Sequence, residues 1–600
     1  MKLTVVFRRL SAAILAIAVI SGPAAALDRI RIHVSGTNEA LQETLIEASL
    51  VVAAKREGRT QPETVFAAAL SDYARLLDAL YAEGYYGGVV HVYVDGREAA
   101  EIPLLRAPDT IREVAINVAP GPPFRFGEAR IAPLPPGTEL PERFRSGARA
   151  RAPVVRNAVE AGIDGWRAAG YAKARTAGER VSADHRTATL DSVVALNPGP
   201  VARFGSLVIE TPSAVRAAAI RRIAGLPEGE RFSPAAMERV ADRLRRTGAF
   251  ASVSLKEAET LGPGGEMDIL LSVADQKPRR FGFGAELSSL EGLTVSGFWM
   301  HRNIFGGAER LRFDAEVANI GGEYGTDFRL GARLETPAPF GPDTRAFAFV
   351  GLERLDEPDF LSDQVELGFG VGRRFGDSIE TELGLSYLYS QTEDDFGNRT
   401  FSLLKLPASG IYDTRDDTLD PTEGFYLEAE VTPFLGLNDG TGSGVRTYGD
   451  ARAYYGLGPE RRFVLAGRVQ VGSVAGAAIG AVHPDLLFYS GGAGTVRGQP
   501  YQSLDVDHGG GTESGGRSFI GLSAEFRARI SERFGAVVFA DAGYVGAESF
   551  YDGSGAWHSG AGAGLRYLTG IGPIRFDVAA PVGGNTGDGV QFYLGIGQAF

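Results

Sequence analysis

The sequence predicts α+β repeats followed by a 16-stranded antiparallel transmembrane β-barrel. Three observations carry this reading. The chain starts like a secretory leader; a unit of about 80 residues recurs three times; and from Arg279 onward apolar and polar residues alternate with a period of two.

Composition narrows the function first. A chain of 600 residues is too long for one ordinary core. No apolar run approaches the ~20 residues a membrane-crossing helix needs. The net charge of −13 argues against binding nucleic acid through a basic surface. There is no cysteine, which excludes disulfides and thiolate metal sites. The seven histidines form no HExxH, and neither a Walker loop nor a GxSxG elbow occurs. The expectation is a non-enzyme with no cofactor, no metal site and no nucleic-acid partner.

At the start, Lys2, Arg8 and Arg9 precede the apolar run LSAAILAIAVI, and GPAAA follows. A basic stretch, a short apolar stretch and an A-x-A site describe a cleaved signal over residues 1–26.

Two strings, PGPPFRFGEARI (120–131) and PGPVARFGSLVI (198–209), are near copies. A second echo runs through LYAEGYYGGVVHVYV (80–94), WRAAGYAKARTAGERV (166–181) and LRRTGAFASVSLKEA (244–258). In each, Gly84, Gly170 or Gly248 follows a helix tail, where positive φ is needed. Each copy reads as strand, helix, helix, strand, strand, within 27–122, 123–200 and 201–277. In the first, Thr60 and Glu63 have capping-box spacing around Pro62, and Phe66, Leu70, Tyr73, Leu77 and Leu80 form one helix face. In the third, Ser233 and Pro234 open a helix carrying Met237, Val240 and Leu244. The closing strands are VAINVA, LDSVVAL and MDILLSV. Residues 28–276 resemble polypeptide-transport-associated (POTRA) domains.

The barrel is read from residues 278–600. In RLRFDAEVA (310–318), Leu311, Phe313, Ala315 and Val317 oppose Arg310, Arg312, Asp314 and Glu316. The segments 328–335 and 518–530 repeat that contrast. A sheet packed on a soluble core would not carry so much charge on one face of strand after strand; apolar-out, polar-in strands do. The expected strands are 279–288, 292–303, 308–319, 324–335, 345–354, 363–374, 379–391, 400–412, 423–434, 445–456, 462–473, 517–530, 534–545, 558–569, 572–581 and 590–600. Between the eleventh and twelfth lies a long loop, 474–516, expected to fold into the lumen. Loops of that length on a tightly turned scaffold are usually functional.

That loop contains GGAGTVRGQPY (491–501). The segment Val496, Arg497, Gly498 resembles the (V/I)RG motif of the BamA/TamA superfamily of outer-membrane assembly factors. Gln499 and Pro500 separate it from the aromatic Tyr501, a departure from the family pattern. FADAG (539–543) places Phe539, Asp541 and Gly543 on the lumenal face, as parity places Glu525. YDTRDDTLDPTEGFY (412–426) fits the family's turn between strands 8 and 9, and FYLGIGQAF resembles a barrel recognition signal ending in Phe600. An arginine at lumen depth needs carboxylate partners, and Glu525 and Asp541 are candidates.

The resemblance implies a lateral gate between the first and sixteenth strands, with Gly282, Phe283 and Gly284 on one side and Gly595, Gly597 and Phe600 on the other. Glycine weakens a strand and lets it bend. Three POTRA copies point to the TamA branch of the superfamily. That branch implies insertion of outer-membrane clients such as autotransporters into the lipid bilayer, an outer-membrane location with periplasmic POTRA domains, and a TamB-like inner-membrane-anchored partner. A BamA-like general insertase and a two-partner secretion pore are the alternatives. A passive porin fits the repeats and the plugging loop poorly.

Overall fold

The computed structural model describes residues 27–36, 39–288, 292–322, 325–570, 572–587, 589–598 and 600. The signal expected over 1–26 lies outside the described residues. The chain forms two compact units. One is built mainly from residues up to Phe204; the other comprises Gly205–Glu228, Ala236–Thr260 and Met267–Phe600.

In the first unit, strand Arg29–Val34 runs parallel to Glu113–Ala119, which pairs antiparallel with Val89–Val94. Helices Glu39–Ala48, Leu50–Arg56 and Pro62–Ala82 accompany this sheet. Leu45, Val65, Leu76, Leu80, Val92 and Ile116 form its sealed centre. The expected capping box is absent: Gln61 is the N-cap of the long helix and makes no side-chain cap bond. Proline in the first turn already fixes φ and removes one orphan N–H. The capping carboxylate is Asp72, within that helix. Its Oδ1 accepts from Leu50 N at 2.6 Å and its Oδ2 from Ser49 Oγ at 2.6 Å, closing the start of the neighbouring helix. Burial pushes the Asp72 carboxyl above its ordinary range.

The next sheet holds Arg125–Ala132 parallel to Thr189–Asn197, itself antiparallel to Arg175–Asp184. Here the expected helix pair is reduced to one α-helix, Ala152–Ala168. Pro133, Pro135, Pro136 and Pro141 occupy the stretch where the other would form, and interior proline breaks helices. A third sheet joins Arg203–Ile209, Glu266–Asp275 and Phe250–Glu257, with helices Ala217–Ala224 and Pro234–Arg246. Gly84, Gly170 and Gly248 have φ of 79°, 92° and 67°, the left-handed conformation that ends a helix cheaply with glycine.

The barrel strands are numbered here β1 (Arg279–Ser288), β2 (Gly292–His301), β3 (Arg310–Ile320), β4 (Asp327–Pro337), β5 (Thr344–Glu357), β6 (Phe360–Phe375), β7 (Ile379–Asp394) and β8 (Gly397–Lys405 with Ala408–Asp413). They continue as β9 (Gly424–Gly436), β10 (Gly444–Leu457), β11 (Phe463–Ala475), β12 (Ser518–Arg529), β13 (Phe534–Gly546), β14 (Ala556–Thr569), β15 (Gly572–Gly583) and β16 (Gln591–Ile596). Each pairs antiparallel with its neighbours and the sheet closes on itself. Strand β8 is interrupted at Leu406 and Pro407, because proline has no N–H to give the ladder. Leu352, Leu367, Phe369, Val538 and Leu565 are exposed on the outer face, while Gln364, Asp450, Gln470, Glu525 and Asp541 are buried on the inner one. An apolar band facing outward all round a closed barrel is matched by hydrocarbon, not by water.

Helix Pro234–Arg246 is fastened to the turn between β4 and β5. Arg243 donates through Nε and NH2 to Asp343 Oδ2 at 2.9 and 2.6 Å, and Arg246 donates to Asp343 Oδ1 at 2.8 Å.

The sixteenth strand departs from expectation. It ends at Ile596 instead of running to residue 600, and Gly597 turns the chain with a φ of 94°. Phe600 then packs inside the barrel against Tyr454, Val464 and Ala466.

Candidate functional site

The connection between β11 and β12 enters the barrel, where one buried guanidinium ties it to the wall. Arg497 NH1 donates to Glu525 Oε1 at 2.6 Å, Nε to Asp541 Oδ2 at 2.8 Å and NH2 to Asp541 Oδ1 at 3.0 Å. The Arg497 main-chain N–H also donates to Asp541, at 3.1 Å. Its guanidinium carbon lies 3.6 Å from the centre of the Phe539 ring, a cation–π stack. Arg497 is 2% exposed, and Glu525 and Asp541 are 3% exposed. Three charges that far from water persist only because each is paired.

The alternation of β12 and β13 puts Glu525, Phe539 and Asp541 on the lumen wall. The cross-strand register opposes Ser523 to Asp541 and Glu525 to Phe539. Glycine does the rest. A Cβ on Gly560 would collide with the Arg497 carbonyl, and one on Gly562 with the Phe539 ring. Gly543 leaves space for Ser490 and for Val496, which is fully buried. Gly498, at φ 92°, lies against the Ala580 backbone, where a side chain would clash.

Several participants were not singled out from the sequence. Asp577 lies 3.7 Å from Arg497 NH1 and is gripped by Arg566. Arg527 Nε donates to the second oxygen of Glu525 at 2.8 Å. The buried set is therefore balanced: Arg497, Arg527 and Arg566 against Glu525, Asp541 and Asp577. Tyr593 and Gln591, on β16, hold Gly498: the Tyr593 hydroxyl accepts from its N–H at 3.0 Å, and Gln591 donates to its carbonyl at 3.2 Å. The period-two rule put all of these residues on the lumenal side, but which of them meet depends on register around the barrel.

Gln499 fills the position after the motif. It is fully buried; its amide donates to the Ser559 and Gly583 carbonyls at 2.8 and 3.0 Å and accepts from Thr586 Oγ1 at 2.8 Å. Tyr501 sits apart from Arg497 and donates to Glu357 Oε1 at 3.3 Å. Farther along the loop, His483 bonds Ser390 at 2.9 Å, and burial pushes its imidazole down to about 4, so it is neutral. Where the loop meets the turn between β5 and β6, carboxylate oxygens of Asp359, Asp505 and Glu513 lie within 4.8 Å of one another. Burial, then repulsion by its neighbours, pushes Asp359 up to about 7; Asp505 is likewise raised to about 6.

The β1–β16 seam is thin. Strand β1 pairs with β2 over ten residue pairs, from Arg279 to Ser288. Among the described residues it meets β16 at two, Leu287 with Leu594 and Ser288 with Tyr593. Gly282 and Gly284 face inward on β1, beside Phe298 and Ser296 of β2; Phe283 is 88% exposed on the outer face. Gly595 faces Arg575 and Glu286, which bridge the seam at 2.7 Å. Gly597 and Phe600 lie beyond the seam pairing, so the structure does not bring them to β1.

Curated relatives share part of this sequence. Outer envelope protein 80 of the Arabidopsis thaliana chloroplast is 25% identical over 411 residues, covering 62% of this chain and 52% of its own length. The outer membrane protein assembly factor BamA of Nitratidesulfovibrio vulgaris is 24% identical over 418 residues, covering 66% of this chain and 51% of its own length. This chain thus spans about half the length of the curated relatives it matches. The crystal structure of Haemophilus ducreyi BamA lacking POTRA domains 1–3 superposes with a TM-score of 0.62 at 18% identity, over 79% of this chain and all of that one. From just after β2 to Phe600, residues 303–600 match the Omp85 superfamily domain, and the lumenal loop with its buried arginine lies inside that match.

Proposed function

We propose that this protein is an outer-membrane assembly factor of the TamA type, inserting β-barrel clients such as autotransporters through lateral opening between β1 and β16. Its three α+β modules act as periplasmic POTRA domains (27–122, 123–200 and 201–277), and a TamB-like inner-membrane-anchored protein meets them. The observation carrying this reading is the seam: two backbone pairs among the described residues, where the adjacent β1–β2 ladder has ten. A ladder that short costs little to part, and the freed edges can pair with an incoming strand. The Arg497 cluster keeps the lumen plugged while the wall opens.

The test is a disulfide across the seam. Leu287→Cys with Leu594→Cys joins directly paired positions, and the chain has no other thiol. The oxidised protein is expected to stop inserting clients and to recover on reduction. Undiminished insertion by a fully crosslinked, folded barrel would refute lateral opening here.

A further inference from the structure

The segment after β16 does not hang free; it is docked at two places. Gly597 N donates to the Pro573 carbonyl at 2.7 Å, and Gln598 N to the Leu419 carbonyl at 3.2 Å. The Gln598 side chain donates to Asp420 Oδ1 at 2.8 Å and accepts from Arg566 Nε at 2.8 Å. Leu419 and Asp420 belong to the turn between β8 and β9. Asp417 stiffens that turn by accepting from both of their N–H groups, at 2.7 and 2.8 Å. Further along, Arg527 NH2 donates to the Phe600 main-chain oxygen at 3.1 Å, and Phe600 shares a buried cluster with Tyr454, Val464 and Ala466.

Arg527 is held by Glu525, whose other oxygen holds Arg497. One buried carboxylate therefore divides its two oxygens between the loop and the segment after β16. We infer that Glu525 couples these two docked states, so that release of either weakens the other, with Asp420 as the distal positioning residue. If the loop leaves, Glu525 is hydrated and Arg527 loses the dry, oriented partner that aims it at Phe600. If the segment leaves, water reaches the same carboxylate from the other side. Coupling between binding equilibria is reciprocal, so both directions must show one factor. The inference gives the proposed gate a regulator, and in that sense rests on the preceding reading. Its test uses no client, so it stands or falls separately.

Docking of the segment is read with Ala466→Cys, labelled in membranes by a hydrophilic maleimide; Ala466 is 5% exposed in the cluster that includes Phe600. Loop docking is read by protease nicking within 476–517. Asp420→Asn and Phe600→Ala release the segment without replacing Glu525, Arg527 or Arg497; Phe600→Ala also removes a ring from residue 466's own cluster. Heat-modifiable mobility confirms a folded barrel. In the variants that speed labelling, nicking is expected to rise on the order of tenfold, and Arg497→Met is expected to speed labelling by the same factor. Faster labelling with unchanged nicking would overturn the coupling.

Discussion

Replacing Arg497 by alanine removes three charge-assisted side-chain bonds and the stack on Phe539. The loss is not shared evenly. Glu525 keeps Arg527 and Asp577 keeps Arg566. Asp541, whose carboxylate bonds to Arg497 alone among the described residues, keeps only the main-chain N–H of residue 497 and loses every opposite charge that touches it. Breaking one partner out of such a buried set costs about 3–5 kcal/mol, most of it from the orphaned charge. At about 1.4 kcal/mol per factor of ten, the undocked loop population rises about 100- to 4,000-fold. Where opening and closing outpace cleavage, nicking follows that population. The assay is protease nicking within 476–517 on intact cells, with barrel mobility as the folding control. Arg497→Lys keeps the charge without the planar fork and should fall between wild type and alanine. Adding Asp541→Asn to Arg497→Ala removes the orphan charge and should lower nicking again. Equal nicking of wild type and Arg497→Ala, in a folded barrel, would refute the claim that this arginine holds the loop.

Gly560→Ala should loosen the same loop without touching a charge, because its Cβ meets the Arg497 carbonyl; hydrogen exchange of residues 495–499 reads the displacement. The raised acidities of Asp359 and Asp505 set a pH dependence. Their folded values lie above the unfolded one of about 3.9, so their contribution is full below that value and is lost as pH rises through about 6 to about 7. Nicking near 505–513 should therefore increase between about pH 5 and about pH 8, and Asp505→Asn should flatten the profile. Asp343→Ala leaves Arg243 and Arg246 without their shared carboxylate. At about 1–2 kcal/mol, tryptic cleavage after Arg246 should rise roughly tenfold.

The alternation of Leu311, Phe313, Ala315 and Val317 with charged neighbours was enough to specify a barrel strand, because a side chain's face in a strand depends only on parity. Parity likewise put Glu525, Phe539 and Asp541 on the inner wall. The helix-ending glycines 84, 170 and 248 were legible for a similar reason: positive φ is a local demand. The capping box at Thr60 was equally local, but Pro62 and Asp72 served the helices in its place. The meetings of Asp577 on β15 with Arg497, and of Arg527 on β12 with Phe600 beyond β16, could not be read from the chain. It depends on strand register and barrel closure, which bring together residues far apart in sequence. The inward turn at Gly597 was hidden in the same way. The Gly597 N–H goes to Pro573 and the Gln598 N–H to Leu419, and only the closed barrel puts those acceptors within reach.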